Sequence, residues 1–152
     1  MDTMKTEISI QITILKPMPG AVYALQSGSG KVFENLQGQL AKDLDLHFTG
    51  IIGVKATDPA NGIPDFNGPL VQGPKFSRFI YIGIGTYAGQ PGSNWARRLK
   101  IPLSGITWEN IRQISVSPNL VLATTVPGIG KDGGPNCATV KPFAGWIVKN
   151  KV

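Results

Sequence analysis

Between Glu7 and Leu15 the chain alternates without a break, with Ile8, Ile10, Ile12 and Ile14 on one side of an extended backbone and Glu7, Ser9, Gln11 and Thr13 on the other. A period of two belongs to β-strands alone, so this stretch demands a sheet with one face in a core and one toward water. Further runs make related demands. AVYALQSG (21–28) reads as a strand that pairs with the first. DLDLHFTGIIGV (43–54) points Leu44, Leu46 and Phe48 inward, with a bulge or bend expected at Gly50 and Gly53. SRFIYIGIGTY (77–87) is apolar on both faces and forms a hairpin with WARRLKIPL (95–103). NLVLATTV (119–126) and CATVKPFAGWIVK (137–149) complete the set.

What joins these runs is turn chemistry. The chain has 19 Gly and 12 Pro in 152 residues with no fixed period, which suits many short elements in one domain, 1–152. KVFENLQGQLAK (31–42) has Val32, Phe33, Leu36 and Leu40 at helical spacing around Gly38, and is read as a loop with one helical turn. A helix is marked after Thr107, its cap, with Ile106 and Ile111 at staple positions and Trp108, Ile111 and Ile114 on one side. With no alternating βαβ pattern, the expected fold is mainly β: an antiparallel sandwich or partly open barrel of about seven strands with one short helix.

Composition narrows the class. The single cysteine, Cys137, excludes an internal disulfide and points to a reducing, cytoplasmic setting. No apolar stretch approaches the length of a membrane span, and residues 1–16 lack a signal-like apolar run. Charge is uneven: residues 1–69 carry five Lys against seven Asp or Glu (−2), and residues 70–152 carry ten Lys or Arg against Glu109 and Asp132 (+8). An anionic partner is one reading of that basic half, a solubilising surface the other.

Several constellations could carry chemistry. Asp43, Asp45 and His47 share one strand face at ligand-like spacing, yet no second His or Cys lies near in sequence, so the polar face of a half-buried strand is the reading and no metal or other cofactor is expected. Cys137 and His47 could form a nucleophile and base only if the fold joined them. SGSGKV (27–32) lacks the earlier glycine and the hydroxyl of a phosphate loop, and GIGKDGGPN reads as a glycine-rich hairpin loop. Alternation places Arg97 with Trp95, Leu99, Ile101 and Leu103, and Arg78 with Ile80, Ile82 and Ile84, while Arg98 and Lys100 point the other way. An arginine on an apolar face needs a partner: Asp65, Glu109 or an anionic ligand. Phe79, Tyr81 and Trp95 beside these arginines could stack bases, but no RNP-like motif is present and nucleic acid is not expected.

The motifs Gly68-Pro69-Leu70-Val71-Gln72-Gly73, Arg78-Phe79-Ile80-Tyr81, Arg97-Arg98-Leu99-Lys100 and Cys137-Ala138-Thr139-Val140-Lys141-Pro142, with Trp146 and a looser P-G-x-x-Y-A-L-Q-S-G near the start, resemble an uncharacterised bacterial single-domain family, a domain of unknown function. The likeness spans about residues 65–148 and departs from the pattern at Ile82-Gly83-Ile84-Gly85, where a Trp-Gly is expected. It implies a single-domain cytoplasmic protein and carries over no activity.

The functional expectation is a non-catalytic β-module that binds a small polar or anionic molecule, or a protein partner, through the 64–78 loop and the basic hairpin, at Gln72, Arg78, Tyr81, Trp95 and Arg97. The alternatives are a small enzyme with Asp65 or Glu109 as acid or base beside an arginine, and a structural domain whose strand edges pair with a second copy.

Overall fold

A computed structural model of the chain describes residues 7–15, 21–27, 32–37, 45–54, 64, 66–71, 79–86, 97–127, 137–139 and 145–151. Two five-stranded sheets face one another. The first orders its strands β10-β8-β1-β4-β5, from β1 (Glu7–Leu15), β4 (Leu46–Val54), β5 (Phe66–Asn67), β8 (Leu120–Pro127) and β10 (Ile147–Asn150). The second runs β3-β2-β6-β7-β9, from β2 (Ala21–Gln26), β3 (Val32–Gln37), β6 (Phe79–Thr86), β7 (Arg97–Pro102) and β9 (Cys137–Thr139). Neither order closes on itself, so the fold is a sandwich rather than a closed barrel.

The isoleucines of β1 are the centre of the core. Ile10, Ile12 and Ile14 meet Phe48 and Ile52 of β4, Leu122 and Val126 of β8, and across the gap Tyr23, Leu25, Ile80, Ile82 and Ile101 of the second sheet, all buried. One helix, α1 (Trp108–Ser115), packs on β1, β8 and β10. Its start is doubly capped: the Asn110 amide donates to Thr107 Oγ1 at 3.1 Å, and the Thr107 amide donates to Asn110 Oδ1 at 2.9 Å. Ile106 and Ile111 are both buried, as the staple reading requires, and Trp108, Ile111 and Ile114 turn into the core. Trp146 ties the two sheets together, its indole N–H donating to the Pro102 carbonyl at 2.7 Å. No helix among the described residues is long and apolar enough to cross a membrane.

The strand expectations need five corrections. β1 and β2 do not pair; they lie in opposite sheets, because the Ile face of β1 and the Tyr23/Leu25 face of β2 bury each other across the core. Val32–Gln37 is a strand rather than a helical turn, since the edge of β2 offers it a ladder that local spacing cannot match. Gly50 and Gly53 mark no bulge: the β1–β4 register runs unshifted from Ile14↔Leu46 to Glu7↔Gly53. The long connection before β6 contains β5 and a 3₁₀ turn, Pro69–Val71. The last segment is two strands in different sheets, which brings the described total to ten; its β9 pairs in parallel with β7, and β1 also pairs in parallel with β8, so the sheets are mixed rather than purely antiparallel.

Candidate functional site

Of the five expected binding residues, Gln72, Arg78 and Trp95 lie outside the described residues, as does the side chain of Arg97. Backbone register places Arg97 opposite Ile84 at the start of β7. Tyr81 is on the face of the sheet opposite to Ile80 and Ile82, where its strand neighbours across β7 are Arg98 and Lys100. The register thus brings Tyr81 together with the second arginine of the pair.

That outer face is a built surface. The Arg98 guanidinium lies over the Tyr81 ring, 4.4 Å from its centroid, and Lys100 Nζ lies 5.0 Å from the centroid of Phe79. Arg98 Nε donates to Gln26 Oε1 at 3.0 Å and Nη2 to the Ser27 carbonyl at 2.7 Å, so β2 and β7 are linked across β6. Gly83 makes the crossing feasible, because a Cβ there would sit 2.8 Å from the Gln26 amide. Gln26 and Ser27 are buried, Arg98 and Lys100 half-buried. Sequence reasoning placed Arg98 and Lys100 outward but gave no role to Gln26, whose signal was a polar residue ending an apolar strand.

The other candidates are dispersed. His47 is exposed and shares a 3.0 Å hydrogen bond with its cross-strand partner Thr13, through Nδ1 and Oγ1. Asp45 is exposed, Asp43 and Asp65 lie outside the described residues, and no three His, Cys, Asp or Glu side chains gather among the described ones. Cys137 opens β9 of the second sheet, and its side chain lies outside the described residues; His47 is an exposed residue of β4 in the first. Glu109 pairs with Arg112 one turn along α1, 3.2 Å apart and both exposed, a surface ion pair rather than a pocket carboxylate. Val32, after SGSGK, opens a strand where a phosphate loop needs a helix.

A hollow of about 1290 Å³ follows β4. On the core side it reaches Gly50, where a Cβ would meet Leu70 at 3.2 Å, Leu25 at 3.5 Å and Ile10 at 3.6 Å. On the outer side it touches His47, Thr49 and Ile51 of β4 and Ser9 and Gln11 of β1. The same hollow crosses the outer face of the sheet to Val121 of β8 and Lys151, and on the core side of β4 it opens at Gly50 beside Leu70. Gly50 is accordingly half-exposed although Phe48 and Ile52 beside it are sealed, and Ile51 is 55% exposed. One rim is the turn Asn67–Leu70, held by Gly68 at φ 107° and by the Val71 amide donating to the Gly68 carbonyl at 3.1 Å. This is part of the 64–78 loop that the sequence singled out. The floor was missed because a missing side chain at Gly50 reads the same in sequence as a bulge.

A family model described as "Family of unknown function (DUF5990)" matches residues 8–149. No curated protein and no solved structure matches the chain.

Proposed function

The chain belongs to this family of unknown function, and we propose that it is a non-catalytic β-module whose ligand occupies the hollow along β4. The observation that carries the reading is the combination in one concavity of an apolar floor (Ile10, Leu25, Leu70) and an exposed apolar rim residue (Ile51) with a few polar groups. Pockets that bind ligands share this make-up: mostly apolar walls that gain by shedding water, with sparse polar groups that fix orientation. Chemistry would need an acid or base held near a partner and shielded from water. The titratable groups described along the hollow, Glu7, His47 and Lys151, are exposed instead. A reducing, cytoplasmic setting belongs to the same proposal and rests on the single cysteine.

A second reading is favoured by a separate observation, the two cations laid over Tyr81 and Phe79. A fixed positive surface on aromatic rings suits a small anion or an acidic partner.

The dye 8-anilinonaphthalene-1-sulfonate tests the first reading. It should bind the folded protein saturably at one site. Ile51→Gln and Gly50→Val, which remove the apolar rim and fill the floor, should each weaken binding about tenfold. Absence of saturable binding, or binding weakened by Arg98→Gln and untouched by the groove variants, overturns it; the latter result moves the site to the outer face of the second sheet.

A further inference from the structure

Among the described residues, β4 is paired over most of its length on one side only. Its full length from Leu46 to Gly53 is laddered to β1, but on the other side β5 reaches only Gly53 and Val54. The short partner has a local cause: after Asn67 the chain turns at Gly68, φ 107°, and the 3₁₀ turn carries Leu70 and Val71 into the core. Every second residue of a strand directs its N–H and C=O away from a given neighbour. From 46 to 52 that outward row meets no strand among the described residues.

Exposed edges are normally blunted by lysine, proline or a bulge. The first sheet's other edge follows that rule, with Lys149 in β10 and Lys151 directly after it. The second sheet's β3 edge carries a register shift opposite Leu25 and Gln26. The stretch 46–52 (LHFTGII) has no lysine, no proline and no shift in register. At roughly 3.3 Å per residue it offers an edge about 23 Å long.

The hollow meets that edge at Gly50 and spreads from it over the outer face of the sheet, so β4 presents two rows of positions to it. One row sees Ile51, Thr49 and His47; the other sees the space that Gly50 leaves against Leu25 and Leu70. Its volume of about 1290 Å³ exceeds the roughly 300–1000 Å³ common for small-molecule sites. We propose that the free edge of β4 takes up an extended segment of another protein as an added strand. That segment seats one apolar side chain over Gly50 and lays the alternating ones along Ile51 and Thr49. This rests on the reading of the hollow as the binding site and names its ligand class.

A second copy of this chain is the less suitable occupant. Paired edge to edge, β4 would have to fill the space over Gly50 with its own core-facing residues, and Phe48 and Ile52 are fully buried in their own core. Each copy also carries a net charge of +6, which opposes self-association.

The test begins with selection of binders from a displayed library of random twelve-residue peptides against the full chain. Selected peptides are then synthesised with N-methyl groups on alternate residues. The expected result is sequences alternating apolar and polar residues that displace the dye. Methylation on one edge should weaken binding at least about tenfold by removing inter-strand donors, and methylation on the other edge should leave it unchanged. Peptides that displace the dye but are equally sensitive on both edges, or on neither, overturn strand addition while the hollow stands as a site. Dye binding with no selectable peptide overturns the polypeptide class alone. A concentration-dependent dimer abolished by Thr49→Lys, with no peptide bound, assigns the edge to a second copy and overturns the proposal. Loss of both dye and peptide binding removes the reading of the hollow itself.

Discussion

Gln26 reaches Arg98 by lying across Gly83. The two side chains sit 72 residues apart in sequence and meet at 3.0 Å over a strand that belongs to neither of them. The arrangement depends on a hydrogen atom at Gly83, where a Cβ would come 2.8 Å from the Gln26 amide. Gln26 is 1% exposed, so it cannot simply swing into water. Gly83→Ala should therefore displace the amide, break its hydrogen bond with Arg98 and leave polar groups buried without a partner, at a cost of about 1–3 kcal/mol. Urea unfolding measures it. A Gln26→Ala background should recover part of the loss, because the obstructing side chain is gone; strictly additive costs would show that Gly83 acts by some other contact.

Two tryptophans close the core with opposite polar fates. Trp146 donates its indole N–H to Pro102, whereas the Trp108 indole nitrogen is buried with no hydrogen-bond partner. Both Trp→Phe changes lose similar apolar volume. Only Trp146→Phe also removes a hydrogen bond, the one to the Pro102 carbonyl at the junction of the sheets. It should cost about 1–2 kcal/mol more than Trp108→Phe, which removes an unsatisfied donor as well as some packing. Equal losses in denaturant titrations would mean that the Trp146 bond contributes nothing.

Local signals were legible in this chain wherever the information was itself local. The alternation at Glu7–Leu15 specified a strand and its isoleucine core face, although the opposite face is not open to water as expected, with Gln11 buried and Ser9 and Thr13 half-buried. Thr107 with Ile106, Trp108, Ile111 and Ile114 specified the start and inner face of α1, because caps and periodicity are fixed by neighbours a few residues away. Pairing was legible only in part: the expected pairing of β6 with β7 forms, whereas β1 does not take the expected partner. An isoleucine face on β1 states that something apolar covers it, but not that β2 does so from the opposite sheet instead of alongside. Val32–Gln37 shows the same gap from the other side: weak local preference is overruled when an edge such as that of β2 is available. The candidate sites failed to show for a related reason. The Gln26–Arg98 bond depends on register across three strands, and the hollow depends on a side chain that Gly50 does not have.

The cap of α1 gives a cleaner measurement. Thr107 Oγ1 accepts from the Asn110 amide, and its own amide is satisfied by the Asn110 side chain. Thr107→Ala should cost about 1 kcal/mol and Thr107→Ser a few tenths at most, since serine preserves the acceptor. For a chain of this length that corresponds to a fall of roughly 2–4 °C in Tm for alanine. A serine variant as unstable as the alanine one would show that the threonine methyl, not the hydroxyl, matters.

Gly68 and Gly105 both sit in turns and differ in what the turn requires. Gly68 is at φ 107°, a conformation that side chains rarely adopt, and it sets the rim where Asn67 and Leu70 border the hollow. Gly105 has no such φ, and a Cβ there would meet nothing within 4 Å. Gly105→Ala should be neutral or stabilise by up to about 1 kcal/mol, because alanine restricts the unfolded chain at no cost to the folded one. Gly68→Ala should destabilise by about 1 kcal/mol or more and also weaken dye binding, since the rim must shift to relieve the strained residue. The two readouts separate two roles for the turn. A loss of stability with unchanged dye affinity would make Gly68 a structural requirement of the β5 turn and detach it from the site, whereas a coupled loss would show that the same backbone angle that cuts β5 short also shapes the space left beside β4.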